Sequence, residues 1–155
     1  MTGTALLGAL RDQERALGQH LRTVADRHRE EHEIHHVARD LAGWCRRHEA
    51  AIEAAADGAL PAGPPPTGPG SGPEPGPRHP VLHGTPGREL LGQLRTLHLR
   101  AVALSVDWEL LAQVAQARRR PELLALAGSC HPETLRQARW ANAQLKVLSP
   151  QLLTD

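Results

Sequence analysis

The stretch GALPAGPPPTGPGSGPEPGPRHPVLHGTPG, residues 58–87, decides how the rest of this chain can be organised. It holds ten of the thirteen prolines and eight of the fourteen glycines in the sequence. Proline removes a backbone donor and glycine weakens any regular element, so the stretch predicts neither a helix nor a packed core. We therefore expect a disordered Pro/Gly-rich linker over residues 58–87, between structured segments at residues 1–57 and 88–155.

The linker is too long for a hairpin turn, but it is long enough to run the length of a helical bundle. A passive crossover is the interpretation that its composition favours. The alternative is a proline-rich ligand for another protein domain. No PxxP pattern with flanking basic residues and apolar anchors stands out in support of that alternative.

Before the linker, apolar residues recur at steps of three and four, which is typical of amphipathic helices. Asp57 and Gly58 predict the end of the second helix, and a turn is expected near Arg29–Glu33. Two helices that pack as a hairpin are therefore predicted. The residues of their two stripes are Leu7, Leu10, Glu14, Leu17, Leu21, Val24 and His28, then Ile34, Val37, Leu41, Trp44, Cys45, His48 and Ile52.

After the linker, Thr85 followed by Pro86 predicts a capped helix start. The apolar stripe of that helix ends before Arg118–Arg120, and Pro121 opens the last helix. Pro132 lies inside the last stripe, where proline predicts a kink, or a restart capped by Ser129 that would give five helices. The predicted core positions are Leu90, Leu94, Leu97, His98, Ala101, Leu104, Trp108, Leu111 and Ala115, then Leu123, Leu126, Ala127, Cys130, Thr134, Ala138, Ala141, Leu145 and Leu148.

The two halves look like degenerate copies of one hairpin. Leu10-Arg11 recurs as Leu94-Arg95, and Cys130 follows Cys45 at nearly the same offset. The chain has three Trp but no Tyr and no Phe, so its core must be built from Leu, Ala and Val, which suits helices better than a sheet. The predicted fold is an all-α four-helix bundle, in which two antiparallel hairpins joined by a long crossover form one domain.

Charge and cysteine content exclude several classes of function. The net charge is +1, which gives no field for binding nucleic acid or an anionic membrane. Two cysteines are too few for a disulfide framework. We find no signal peptide and no apolar stretch approaching the ~20 residues of a membrane span. A cytoplasmic protein is expected.

The run Leu10-Arg11-Asp12-Gln13-Glu14-Arg15-Ala16-Leu17 resembles the first helix of ferritin-like four-helix bundles, especially of small bacterial stress-associated members. The resemblance extends over both helical halves but not over the linker. It implies a ferritin-like bundle with one long crossover. It also implies inward-facing carboxylates and histidines, which hold metal ions in that family.

Glu14 and His48 match two positions of the metal-binding pattern that the resemblance implies. Cys45, His98, Cys130 and Glu133 stand at the other four positions, and none of them is the residue type that the family has there. An oxygen-activating di-iron centre is therefore not expected. The substituted set would suit zinc or another thiophilic ion better than an iron pair. The resemblance therefore implies six candidate metal ligands: Glu14, Cys45, His48, His98, Cys130 and Glu133.

A metal is not the only explanation for these polar residues on apolar stripes. A hydrogen bond between Glu14 and His48 would satisfy both side chains without an ion. A turn near Arg118–Pro121 would also place His98 opposite Trp140 and away from Cys130. We therefore carry both interpretations forward, a metal site and a satisfied polar core.

Residues His32–His36 spell HExxH, the zinc-protease spacing. Here the motif falls at a helix–helix turn, so an exposed polar face is the favoured interpretation. Buried Cys45 and Cys130 are expected to act as small apolar residues rather than as nucleophiles. The three tryptophans are interpreted as core or interface anchors.

The sequence predicts a non-enzymatic helical bundle that acts through self-association, as a homodimer, or through a protein partner. No complete catalytic constellation is present, so no substrate class is indicated. The alternative is a bundle that binds a zinc or iron ion through its core Glu, Cys and His residues.

Overall fold

A computed structural model describes residues 3–61, 63 and 79–154 of the chain. The helices are α1 (Gly3–Arg27), α2 (His32–Ala56), α3 (Pro86–Ala117) and α4 (Pro121–Leu152), with no strand among the residues described. The predicted all-α four-helix bundle is confirmed. The predicted linker falls largely on residues 62 and 64–78, which lie outside the described part of the chain.

The helix ends follow the local signals in the sequence. The side chain of Thr85 accepts a hydrogen bond from the backbone N–H of Arg88, and Pro86 occupies the first turn of α3, as predicted. Asp57 ends α2 in the left-handed conformation (φ 49°), and Gly58 continues it at φ 77°. A left-handed residue at this place frees the next amides to bond the last carbonyls of the helix.

The predicted restart at Pro132 is wrong, because α4 runs through Pro132 and Pro150 as one helix. Pro132 lies on the exposed side of α4, whereas Cys130 and Thr134 are buried. The Thr134 hydroxyl donates to the Cys130 carbonyl at 2.9 Å. Core packing before and after the proline therefore holds the helix together despite the missing backbone donor.

Long-range side-chain contacts fix the direction of each helix. Along α1 and α3, Gln13 contacts Asp107 and His28 contacts Gln93, so the residue number falls on one helix as it rises on the other. The same holds for α2 and α4, where Arg47 meets Glu133 and Glu33 meets Gln144. α1 and α4 therefore run one way, while α2 and α3 run the other way.

This topology explains why the connection between α2 and α3 must be long. The two helices point in the same direction, so the chain leaves α2 at one end of the bundle and enters α3 at the other. A helix as long as α2, 25 residues, measures about 37 Å at the usual rise. The start of this connection is held on α1, where buried Arg11 donates to the Pro61 carbonyl at 2.7 Å.

One apolar core fills the space between the helices. α1 packs mainly on α2 and α3 mainly on α4, and the two pairs join through α1–α3 and α2–α4 contacts. The largest fully buried side chain is Trp108, and the core cluster to which it belongs consists mostly of leucines and alanines from all four helices. Among the residues described, no helix combines the length and the apolar character that crossing a membrane requires.

Replacing Pro132 by Ala is expected to raise the free energy of unfolding by about 1–3 kcal/mol, because alanine restores a backbone donor at an exposed interior position of α4. The matched control is Pro121→Ala, at the start of α4, where proline is tolerated and little change is expected. Urea denaturation of both variants measures the difference. Equal midpoints for Pro132→Ala and the unmodified chain would contradict this account.

Candidate functional site

A carboxylate lies at the centre of the core. Glu14 on α1 is fully buried, and its Oε1 accepts two hydrogen bonds. His48 on α2 donates from Nδ1 at 2.9 Å, and Trp108 on α3 donates from Nε1 at 3.1 Å. Glu14 Oε2 has no hydrogen-bond partner among the described residues. One carboxylate thus joins three helices through a single oxygen atom.

The chain of polar contacts continues from His48 to the surface. Its Nε2 lies 3.2 Å from Oε1 of Glu133 on α4. Oε2 of Glu133 in turn accepts a hydrogen bond from Arg47 Nη2 at 3.0 Å, and Arg47 is 60% exposed. The Glu14–His48–Glu133–Arg47 chain therefore contacts all four helices, through Trp108 on α3, and ends in solvent.

The two carboxylates favour the protonated form of His48. Burial alone lowers the pKa of His48, but hydrogen bonds and charge from Glu14 and Glu133 outweigh it and raise the pKa above its usual value. Burial alone raises the pKa of Glu133, but Arg47 and His48 together outweigh burial and lower that pKa. An imidazolium that donates from both nitrogens fits both contacts.

Both cysteines are buried near this chain, and both are held as thiols. Burial, and then the Glu14 carboxylate, raise the pKa of Cys45 well above its usual value. Burial together with Glu14 and Glu133 raises the pKa of Cys130 to about 12. The side-chain amide of Gln137 on α4 donates to Cys45 Sγ at 3.3 Å and to the Leu41 carbonyl at 3.0 Å.

Five of the six predicted ligands thus belong to one region of the core, and the sixth does not join their hydrogen bonds. His98 Nδ1 donates to the Ala138 carbonyl at 3.0 Å. Ala138 is two residues before Trp140, the residue that the turn between α3 and α4 was expected to place opposite His98. Trp108, rather than His98, is the α3 residue bonded to Glu14. The hydrogen bond between Glu14 and His48 that satisfies both without a metal is present.

Three of the candidate metal ligands, Glu14, His48 and Glu133, are hydrogen-bonded to one another in this arrangement. Both ring nitrogens of His48 are engaged by carboxylates, and one oxygen of Glu14 already accepts two donors. Across residues 3–61, 63 and 79–154, no three His, Cys, Asp or Glu side chains are grouped so that they could hold an ion. The metal-binding alternative stays a prediction, and metal analysis of untagged protein with a His48→Ala control is its test.

The same contacts limit the chemistry that the site can perform. A general base needs a free lone pair, and a thiol nucleophile needs a lowered pKa. His48 offers neither nitrogen, and the pKa of each cysteine is raised. The arrangement is therefore suited to hold four helices in one register.

Sequence reasoning missed three partners of the site: Trp108, Arg47 and Gln137. A fully buried carboxylate requires donors, and an indole N–H on a core stripe is one of the few available. That requirement could have brought Trp108 into the site, but only the register of α1 against α3 identifies it. Arg47 and Gln137 gave no signal, because both read as ordinary polar positions.

The side chains of the HExxH motif, His32, Glu33 and His36, do not form a compact set of metal ligands among the described residues. His32 is the first residue of α2 and is exposed, as is His36. His35, which the motif does not use as a ligand, donates from Nδ1 to the Ala25 carbonyl at 2.7 Å and joins the start of α2 to α1.

Comparisons of the chain with protein-family models, with curated proteins and with solved structures found no match. The resemblance to ferritin-like bundles therefore stays a prediction.

His48→Leu is expected to lower the free energy of unfolding by about 3–5 kcal/mol, because it leaves the buried Glu14 carboxylate with Trp108 as its sole donor. The double variant Glu14→Leu, His48→Leu removes both charges and should be more stable than His48→Leu alone. Urea denaturation of the two single variants and the double variant measures this coupling. Simple addition of the two single costs would show that the pair is not coupled.

Lowering the pH is expected to destabilise the fold partly through His20 on α1. Burial, and then the charge of Arg100, lower the pKa of His20 from its usual 6.5 to about 4. The unfolded chain therefore takes up this proton first as pH falls, so stability is lost between pH 6.5 and 4, by roughly 1–3 kcal/mol.

His20→Gln should flatten the stability profile over this pH interval, measured by thermal unfolding at a series of pH values. His36→Gln, at an exposed histidine, is the matched control and should keep the original slope. An unchanged slope in His20→Gln would rule out this residue as a source of acid sensitivity.

Proposed function

We propose that this protein is a non-enzymatic helical module that acts by self-association, as an antiparallel homodimer built on α3. The observation that carries the proposal is an exposed apolar face along that helix. The core chemistry described above supports a structural module, since its imidazole and thiols are all engaged or protonated.

The α3 face consists of five large apolar side chains, each between 39% and 50% exposed. They follow one another at steps of three and four, so they form a continuous stripe opposite the core-facing side of α3. Most of the large exposed apolar residues of the described chain lie on this one helix, and a stripe of this kind marks an interaction surface. The stripe is Leu99, Val102, Val106, Leu110 and Val114.

The charges that border the stripe favour a second copy of the chain as its occupant. Arg95 and Glu109 lie on one edge, and Arg100 and Asp107 lie on the other. When two α3 helices pack antiparallel around a two-fold axis near Val102, residues on the same edge face each other. Arg95 then meets Glu109 of the second copy, and Arg100 meets its Asp107.

The same register matches large side chains with small ones. Leu99 lies opposite Ala103 of the second copy, Val106 lies opposite Thr96, and Val102 packs on its own counterpart. Leu110 reaches the level of Gly92, which lies against Leu82, the neighbour of the 50% exposed Val81. A slide of about ten residues, which moves the two-fold axis to residue 107, would instead place Asp107 against Asp107 and is therefore disfavoured.

Arg100 gives this register a further source of stability. It is half-buried, burial lowers its pKa, and it has no ion pair among the described residues. Its charge also acts unfavourably on His20. A carboxylate supplied by a second copy would compensate a cation that the single chain leaves unpaired.

Leu99→Glu combined with Val106→Glu is expected to convert a dimer into a monomer, because each change places a charge inside the apolar contact. Light scattering on untagged protein measures the mass against that of the 16.8-kDa chain. The matched control is Leu124→Glu with Val147→Glu, two residues on α4 that are 41% and 56% exposed. A monomeric unmodified chain, or equal dissociation in the control, would overturn the proposal.

A charge exchange tests the register. Arg95→Glu and Glu109→Arg should each weaken the dimer at low salt, because each places like charges opposite each other across the two-fold axis. The double variant restores an opposite pair and should recover dimerisation. Loss of the dimer in both single variants without recovery in the double variant would contradict the antiparallel register.

A further inference from the structure

The outer side of the α1–α2 hairpin holds a groove that is rich in arginine. Its volume is about 340 Å³, and its lining includes Arg22 from α1, Arg29 from the turn that follows α1, and Arg39 and Arg46 from α2. Asp26 is the one carboxylate in that lining, and it pairs with Arg29 at 3.8 Å. Four guanidinium groups therefore face one carboxylate, in a chain whose net charge is only +1.

Three of these arginines lack a counter-charge. No hydrogen bond or ion pair joins Arg22, Arg39 or Arg46 to another described residue. The carboxylates of Glu49 and Glu53 on α2 are paired with other arginines. Crowding of like charges destabilises a fold unless an anion compensates it. Like charges in one groove are therefore unfavourable in the free protein, and a bound anion would offset them.

The spacing of the arginines favours an anion with more than one phosphate group. Arg39 and Arg46 are seven residues apart on α2, so their backbones are separated by about 10 Å, with Arg22 across the groove. A guanidinium group donates two parallel hydrogen bonds to the oxygens of one phosphate. A phosphate anhydride can contact both ends of this row at once.

A second depression, of about 630 Å³, adjoins the groove and shares Arg39 and Arg46 with it. It lies over Gly43, where a Cβ atom would have no neighbour within 4 Å, and the half-buried ring of Trp44 forms part of its wall. Asp40, His36 and Arg47 complete its lining. An aromatic group attached to the phosphates would find an indole ring there.

We propose that this α1–α2 groove is a binding site for a phosphate-anhydride anion, held by Arg22, Arg39 and Arg46. The ligand is either an inorganic polyphosphate or a nucleotide, whose base would lie over Gly43. The row of arginines on α2 spans only about 10 Å, so a small anion fits better than nucleic acid, which requires a longer basic surface. The site lies on α1 and α2 and is independent of the α3 surface.

The test is a thermal-shift and calorimetric titration of the full chain with tripolyphosphate, ATP and sodium sulfate as separate probes. Tripolyphosphate or ATP should raise the melting temperature and bind at least about tenfold more tightly than sulfate. Arg39→Ala with Arg46→Ala should weaken that binding by at least about tenfold while leaving the melting temperature of the free protein unchanged or higher. Arg136→Ala with Arg139→Ala removes two exposed charges from α4 and should leave binding intact.

The two sources of the anion give different results. Equal binding of tripolyphosphate and ATP assigns the site to inorganic polyphosphate. Tighter binding of ATP that is lost in Gly43→Leu assigns it to a nucleotide. The proposal is overturned if neither probe binds more tightly than sulfate, or if the α4 control loses binding as strongly as the groove variant.

Discussion

The buried carboxylate of Glu14 is the constraint on which the arrangement of the helices depends. A charge removed from water in a low-dielectric core must be compensated by neighbouring donors. His48 on α2 and Trp108 on α3 supply them, and His48 is held in turn by Glu133 on α4. Sliding any one helix by a turn would break a contact in this chain. The leucines around it could accept several registers, because apolar contacts have little directional preference.

Topology adds a second constraint, and it acts on the connection rather than on the core. Since α2 and α3 run in the same direction, the chain must travel the length of the bundle between them. A segment rich in proline and glycine can cover that distance without competing for core positions. Buried Arg11, which binds Asp12, Glu53 and the Pro61 carbonyl, directs the start of this connection along α1.

The outside of the bundle separates two kinds of surface that the overall composition conceals. Among the residues described, α3 carries most of the exposed large apolar side chains, with one arginine and one carboxylate along each edge of its stripe. The α1–α2 side instead carries arginines that have no ion pair within the described part of the chain. A net charge of +1 therefore averages over regions with distinct physical properties. The proposed self-association and the proposed anion site use different helices, so neither would obstruct the other.

The sequence by itself determined the helices and their core faces. Apolar steps of three and four, the Thr85 cap and the Asp57-Gly58 stop are local signals, and each is satisfied within a few residues of backbone. Local reasoning was wrong at Pro132, because packing of Cys130 and Thr134 against the other helices overrides the preference of a proline. The sequence also indicated that Glu14 and His48 could satisfy each other. Only the tertiary structure decided that Trp108 completes their site, that His98 binds the α4 backbone, and that unpaired arginines from α1 and α2 share one groove. These outcomes depend on how far each helix is shifted along its neighbour, and that shift arises from contacts between residues distant in sequence.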